Sequence, residues 1–158
     1  MSENHPLYGK CLIVGIDPDT DKSGVATYYR EGRRLEIDSL SFFELYEYLM
    51  FAKEHIKTVR IEAGYLNSKS NFHGAKNVHT AAKTGSSVGA CNMVAKMIVD
   101  LCKYIEVPYK EIKPFRKIWK KGKISHDELQ NLLKKMGIAP IIGKTTQDKR
   151  DSALIAIL

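Results

Sequence analysis

Cys11-Leu12-Ile13-Val14-Gly15-Ile16-Asp17 is an unbroken apolar run that ends on a carboxylate. Its length and its β-branched residues predict a buried strand over residues 11–16. A Pro18 to Gly24 turn leads to a second strand over 25–29, and Glu31-Gly32 turns the chain into a third, where Leu35 and Ile37 alternate with charged neighbours. These three form a meander. Ser41 with Glu44 is a capping-box pattern, and Phe42, Leu45, Tyr46 and Leu49 recur behind it at helical spacing. A second short apolar run, Thr58-Val59-Arg60-Ile61, closes on Glu62. With a helix between them, the first and fourth strands are expected to be parallel neighbours. Asp17 and Glu62 then share the sheet edge where α/β folds place ligands.

Residues 63–75 read as loop and 76–104 as a long helix. Its first half is dense in small residues, among them Ala82, Gly85, Ser86, Gly89 and Ala90, and suits close approach of another backbone. Its own sheet and a second subunit are both open as that partner. A fifth strand over 107–112 contains Pro108, which points to a sheet edge. Pro114 suits the first turn of a short helix. Ser125 with Glu128 repeats the capping box, and Gly137 ends that helix. Asp148-Lys149-Arg150-Asp151 then opens a final helix rich in Ala, Leu and Ile. Positions i and i+3 differ by about 60° around a helix, so these two acids can face one point. Each acid alone is ordinary for a solvated position or a helix N-terminus. Together, four carboxylates at strand ends and one helix turn are hard oxygen donors of the kind that Mg²⁺ or Mn²⁺ takes.

The chain has 158 residues, 44% hydrophobic and 27% charged, enough to bury one core, and it is read as a single domain in which residues 1–10 are an N-terminal extension. Its formal net charge of +7 favours a polyanionic partner, nucleic acid or an anionic surface. No apolar run is long enough to cross a bilayer, and Met1 to Pro6 lacks the pattern of a signal peptide; the cytoplasm is the expected compartment. Cys11, Cys91 and Cys102 form no CxxC pair and read as small core residues, and the scattered histidines lack zinc spacing. The most basic stretch, 110–123, holds Lys110, Lys113, Arg116, Lys117, Lys120, Lys121 and Lys123 with Phe115 and Trp119 interleaved. By itself this would be a solvated face over two buried aromatics; beside a phosphodiesterase site it becomes a phosphate-contact surface.

These residues resemble the RuvC-type Holliday junction resolvases of the RNase H-like superfamily. The resemblance runs through Ile13 to Thr20 with Gly24-Val25-Ala26, through Arg60-Ile61-Glu62-Ala63-Gly64-Tyr65, and through Asp148 to Leu154. It implies an α/β RNase H-like fold, a five-stranded mixed sheet of order 3-2-1-4-5 flanked by helices. It further implies a Mg²⁺-dependent homodimer that cuts opposed strands of a four-way DNA junction. Asp17, Glu62, Asp148 and Asp151 would be the catalytic metal ligands, and Tyr65 stands where the family has an aromatic that wedges into the junction. Asp19 replaces the family's usual glycine. The segment before the final helix departs from the pattern, leaving Lys113 and Lys123 as candidates for the assisting lysine.

The chemistry agrees with that reading. Phosphodiester hydrolysis needs an activated water, stabilisation of charge on phosphorus and help for the leaving oxygen, and two divalent ions about 3.5–4 Å apart provide all three. Asp17 would serve both ions, with Glu62 and Asp148 or Asp151 completing one site each. The rivals fare worse. Sugar-kinase and actin-like ATPases share the Gly-x-Asp turn but need a chain more than twice as long. Gly143-Lys144-Thr145 lacks the spacing of a P-loop. Nucleases of the same fold acting on other branched DNA or RNA–DNA hybrids, and a non-catalytic junction-binding module, remain as alternatives.

Overall fold

Alternation along the first strand divides the molecule into two cores. In the computed structural model, which describes residues 11–67, 78–115, 119 and 122–158 apart from the side chains of 78, 80, 81 and 84, β1 (Leu12–Asp17) lies at the centre of a five-stranded sheet. Leu12, Val14 and Ile16 point to one face, so Ile13, Gly15 and Asp17 point to the other. β2 (Ser23–Tyr29) pairs antiparallel with β1 and with β3 (Arg34–Leu40). β4 (Ile56–Glu62) runs parallel to β1, and β5 (Tyr109–Ile112) runs parallel to β4. The order β3-β2-β1-β4-β5 is the one expected of an RNase H-like sheet. β5 is an edge, as Pro108 requires: its carbonyl accepts the Val59 N–H at 2.8 Å, and its missing N–H disturbs no inner ladder.

α1 (Phe42–Ala52) and α2 (Val78–Tyr104) cover the first face, where Leu45, Leu49, Ile98 and Cys102 meet Val14, Ile16, Val59 and Ile61. α3 (His126–Lys135) and α4 (Gln147–Ile157) cover the second, where Leu129, Leu133, Ile124 and Leu154 form a separate core. Both expected capping boxes are present, Ser41 with Glu44 and Ser125 with Glu128. Gly137 follows α3 at φ +69°, which suits glycine. Among the described residues no helix is long and apolar enough to cross a membrane.

Some expectations fail or fall outside the described residues. Residues 113–115 leave β5 without regular structure, and residues 116–118, 120 and 121, over which a short helix opening at Pro114 would continue, lie outside the described residues. Only Cys102 is a core cysteine; Cys11 and Cys91 are half-buried. Of the two partners left open for the small residues of α2, its own sheet does not cover Ala82, Ser86, Gly89 and Ala90, which are exposed; a Cβ added at Gly89 would meet nothing within 4 Å.

The close backbone approach lies instead under α4. A Cβ at Gly15 would stand 2.4 Å from the Ser152 carbonyl oxygen and 2.5 Å from the Ala156 nitrogen, and one at Gly24 would stand 2.2 Å from the Asp148 carbonyl oxygen. Gly15 pairs with Ala26 and Asp17 with Gly24, so three small residues make a floor beside the acid. Ser152, Ala153 and Ala156 are buried on the helix side. Arg60, next to Gly15 on β4, donates to the Ile155 and Ala156 carbonyls at 3.3 and 3.2 Å, satisfying acceptors in the last turn of α4. Gly15→Ala should therefore lower stability by about 1–3 kcal/mol, as overpacking does. Gly32→Ala, with nothing within 4 Å of its Cβ, should be near neutral. Urea unfolding of the two variants measures the contrast.

Candidate active site

Three elements bring the acids together. Asp17 ends β1 and Glu62 ends β4, on neighbouring parallel strands, so both emerge at one sheet edge. The first turn of α4 crosses that edge above Gly24 and carries Asp148, with Asp151 one turn on. Thr146, whose hydroxyl accepts from the Lys149 N–H at 3.4 Å, caps the helix there. All four carboxylates are half-buried.

Their charges conflict. Burial is the main cause that pushes the Asp17 carboxyl up to about 8, and Glu62, Asp151, Asp148 and Asp19 add repulsion. Glu62 is pushed up to about 7 by burial and then by Asp151. Asp151 is raised as well, again by burial first, while the Gln147 hydrogen bond and the positive charge of Lys123 oppose the rise. The ion pairs among the described residues are Lys22 with Glu44, Arg34 with Glu36 and Lys103 with Asp100; none serves these acids. Among the described residues no three acids, histidines or cysteines form a ready-made metal cluster. The donor set nevertheless suits a hard divalent cation: four carboxylates lie near one another, and among the described residues none of them forms an ion pair.

Two residues that sequence reasoning passed over organise the α4 side. Gln147 donates to Asp151 Oδ1 at 2.7 Å, and its own Oε1 accepts from Arg150 at 3.0 Å, which fixes the orientation of the amide. Arg150 also donates to the Ile124 carbonyl at 2.8 Å and to the Thr145 carbonyl at 2.6 Å. One guanidinium thus ties the segment bearing Lys123 to the helix bearing Asp151. Their polar spacing in Gln147-Asp148-Lys149-Arg150-Asp151 is visible in the sequence, but nothing local distinguishes them from surface residues.

Lys123 lines a cleft of about 160 Å³ together with Glu62, Asp151, Trp119 and Phe115. Lys113, the other candidate lysine, is exposed at the end of β5 and does not line it. Lys110 is exposed on the edge strand. Arg116, Lys117, Lys120 and Lys121 lie outside the described residues. Tyr65, in a short 3₁₀ turn (Gly64–Leu66), packs partly on the α1/α2 core. Its hydroxyl donates to Glu111 and Lys96 lies 5.3 Å from its ring centre. Burial and then Glu111 push that phenol up to about 12. Asp19 contributes its charge to the cluster, and its carboxylate also accepts the Asp21 N–H at 3.0 Å, holding the β1–β2 turn.

No protein-family model matches the sequence, and no curated protein matches it. Among solved structures, the chain is similar to RuvC of Thermus thermophilus, both in a structure of that protein and in one of its complex with a Holliday junction substrate. Each comparison covers 92% of this chain and 90% of that one, at 16% identity and a TM-score of 0.49. At that distance the likeness decides nothing about chemistry, which rests on the residues described above.

The raised carboxyls set a pH dependence. Asp17 and Glu62 have ordinary values of 3.8 and 4.5 and folded values of about 8 and about 7, so the folded state binds more protons between those limits. Stability of the metal-free protein is therefore full below about pH 4 as far as these two groups are concerned, and is lost as pH rises toward 8. Metal-free Tm should fall across this window by at least the 2–4 °C that roughly 1 kcal/mol produces in a chain of this size. Asp17→Asn should flatten the fall, and Mg²⁺ or Mn²⁺ should reverse it for the wild type. Differential scanning calorimetry in chelator and in metal reads both effects.

Proposed function

We propose that this protein is a divalent-metal-dependent, structure-selective endonuclease that hydrolyses phosphodiesters in four-way DNA junctions and works as a homodimer. The observation that carries the reading is the meeting of Asp17, Glu62, Asp148 and Asp151, none of which forms an ion pair among the described residues, in a chain whose net charge is +7. A pure phosphate binder gains nothing from concentrating negative charge where its ligand must sit. Asp17 at the centre, with Glu62 on one side and Asp148 and Asp151 on the other, would hold two Mg²⁺ or Mn²⁺ ions. Bound there, the ions supply Lewis acidity and an activated water.

The protein's own groups do the rest. The carboxylates hold their positions because α4 is clamped at both ends, by Gly24 beneath its first turn and Arg60 at its last. Lys123 lines the cleft with Asp151 and would place positive charge where negative charge grows on the phosphoryl oxygens. Lys110, Arg116, Lys117, Lys120 and Lys121 would contact flanking phosphates, and Lys113 extends that surface. Tyr65 would meet bases at the junction centre after leaving Glu111. Alanine there should impair cleavage more than phenylalanine, which keeps the π-face.

A dimer follows from the need to cut two opposed strands. On α2, Ala82, Ser86, Gly89 and Ala90 continue at helical spacing into Met93 and Met97, which are 59% and 45% exposed. Small residues flanked by methionines suit a helix contact with a second copy.

Two measurements test the reading. In Mg²⁺ the wild type should cut a labelled four-way junction and leave linear duplex intact. Asp17→Asn and Glu62→Gln should reduce cutting by at least about 10³-fold while binding the junction normally, and Lys123→Ala should lose roughly 10²–10³-fold, the scale of one electrostatic contact. Cleavage at the wild-type rate by Asp17→Asn would remove the metal-ligand assignment, and preference for forks or RNA–DNA hybrids would redirect the substrate. Light scattering at micromolar concentration should give twice the chain mass; a monomer with and without junction would point to single nicks.

A further inference from the structure

We propose that the cleft beside the acids is a nucleobase subsite, in which one unstacked base of the cut strand stacks on Trp119 while its phosphate faces Lys123. The inference rests on the nuclease reading and extends it to how the substrate strand is gripped.

The lining of the cleft is of two kinds: Glu62 and Asp151 bring carboxylates, and Trp119, Phe115, Pro114 and Leu154 supply apolar surface. A wholly anionic ligand would be repelled by the carboxylates, and a wholly apolar one would leave them without a partner. A nucleotide matches both, with a π-face for the ring and a phosphate for the cation. The Gly122 N–H donates to the Trp119 carbonyl at 2.8 Å, Gly122 has φ +68°, a conformation that suits glycine, and Trp119, Gly122 and Lys123 line the same cleft. Arg150 then holds the Ile124 carbonyl, fixing the turn against α4.

Trp119 is not spent on the core. It packs against the α3/α4 core and still lines the cleft, while Phe115 keeps 38% of its surface exposed. Bases inside a duplex are stacked and offer no free face, so the subsite takes a base that is unpaired or unstacked, as at a branch point. It thereby selects the class of strand that reaches the acids.

Trp119 is the single tryptophan in the chain, so its fluorescence reports the site directly. Asp17→Asn protein, which binds without cutting on the present reading, is titrated with a four-way junction, with the same junction carrying abasic residues at the crossover nucleotides, and with linear duplex. The intact junction should quench Trp119 strongly, and the abasic junction and duplex should quench it weakly. Trp119→Ala should bind the intact junction about 5- to 150-fold more weakly, the range for loss of one base–aromatic stack, and Trp119→Phe should recover most of it. Equal quenching by intact and abasic junctions would overturn the subsite, and because that comparison uses intact Trp119 it stands even if Trp119→Ala fails to fold. Wild-type cleavage is measured in parallel. Cutting without abasic-sensitive quenching refutes the subsite alone, and abasic-sensitive quenching without cutting supports the subsite and refutes the nuclease.

Discussion

The site depends on how closely the backbone of α4 lies on the sheet. A helix normally stands off a sheet by the thickness of two layers of side chains, yet here Gly15 and Gly24 leave no side chain beneath Ser152, Ala156 and Asp148. Shape at this contact is set by backbone atoms, which cannot change rotamer to make room. The consequence is positional. Asp148 and Asp151 reach the edge where β1 and β4 end because the helix that carries them rests directly on the neighbouring strand. Arg60 secures the far end by using the last-turn carbonyls, so a residue of β4 also holds α4.

That placement creates an electrostatic conflict that the fold tolerates. Half-buried carboxylates from three elements oppose one another without an ion pair among the described residues, in a molecule that carries excess positive charge. Natural proteins pair such groups unless a ligand does so. The surrounding bonds support the conflict instead of relieving it. Gln147 orients one oxygen of Asp151 without neutralising it, and Arg150, near enough to pair, spends its donors on backbone carbonyls, the Thr145 hydroxyl and Gln147. A guanidinium used in this way positions structure while leaving acidic charge for something outside the chain.

The same guanidinium connects the acids to the cleft wall. Trp119, Lys123 and Ile124 each lie outside the regular elements, and such residues are precise only where rigid elements hold them. Arg150 from α4 and the turn at Gly122 provide that hold. Tyr65 on the opposite side is restrained differently, through Glu111 on the edge strand β5 and Lys96 on α2. The surroundings of the acids are thus assembled by side chains reaching across elements, over a framework set by glycines.

The sequence by itself determined the elements and their order. Period-2 and period-3.6 patterns, two capping boxes and a proline at an edge strand are local signals, and each corresponds to an observed feature. The strand ends at Asp17 and Glu62 and the i, i+3 pair at Asp148 and Asp151 were legible for the same reason: a residue's position within its own element follows from spacing. Pro114 suits a first helical turn and an extended exit alike, and its own geometry does not decide between them. The small residues of α2 left two partners open. Small size signals that a backbone can come close, but it does not say which one, and the tertiary structure put that contact at Gly15 and Gly24 and left the α2 stripe exposed. Gln147, Arg150, Arg60 and Trp119 likewise acquire their roles from partners far along the chain or from a turn outside any regular element. Only the folded arrangement decides those roles, because a hydrogen bond or a cleft wall is a property of two segments brought together and leaves no periodic trace in either one.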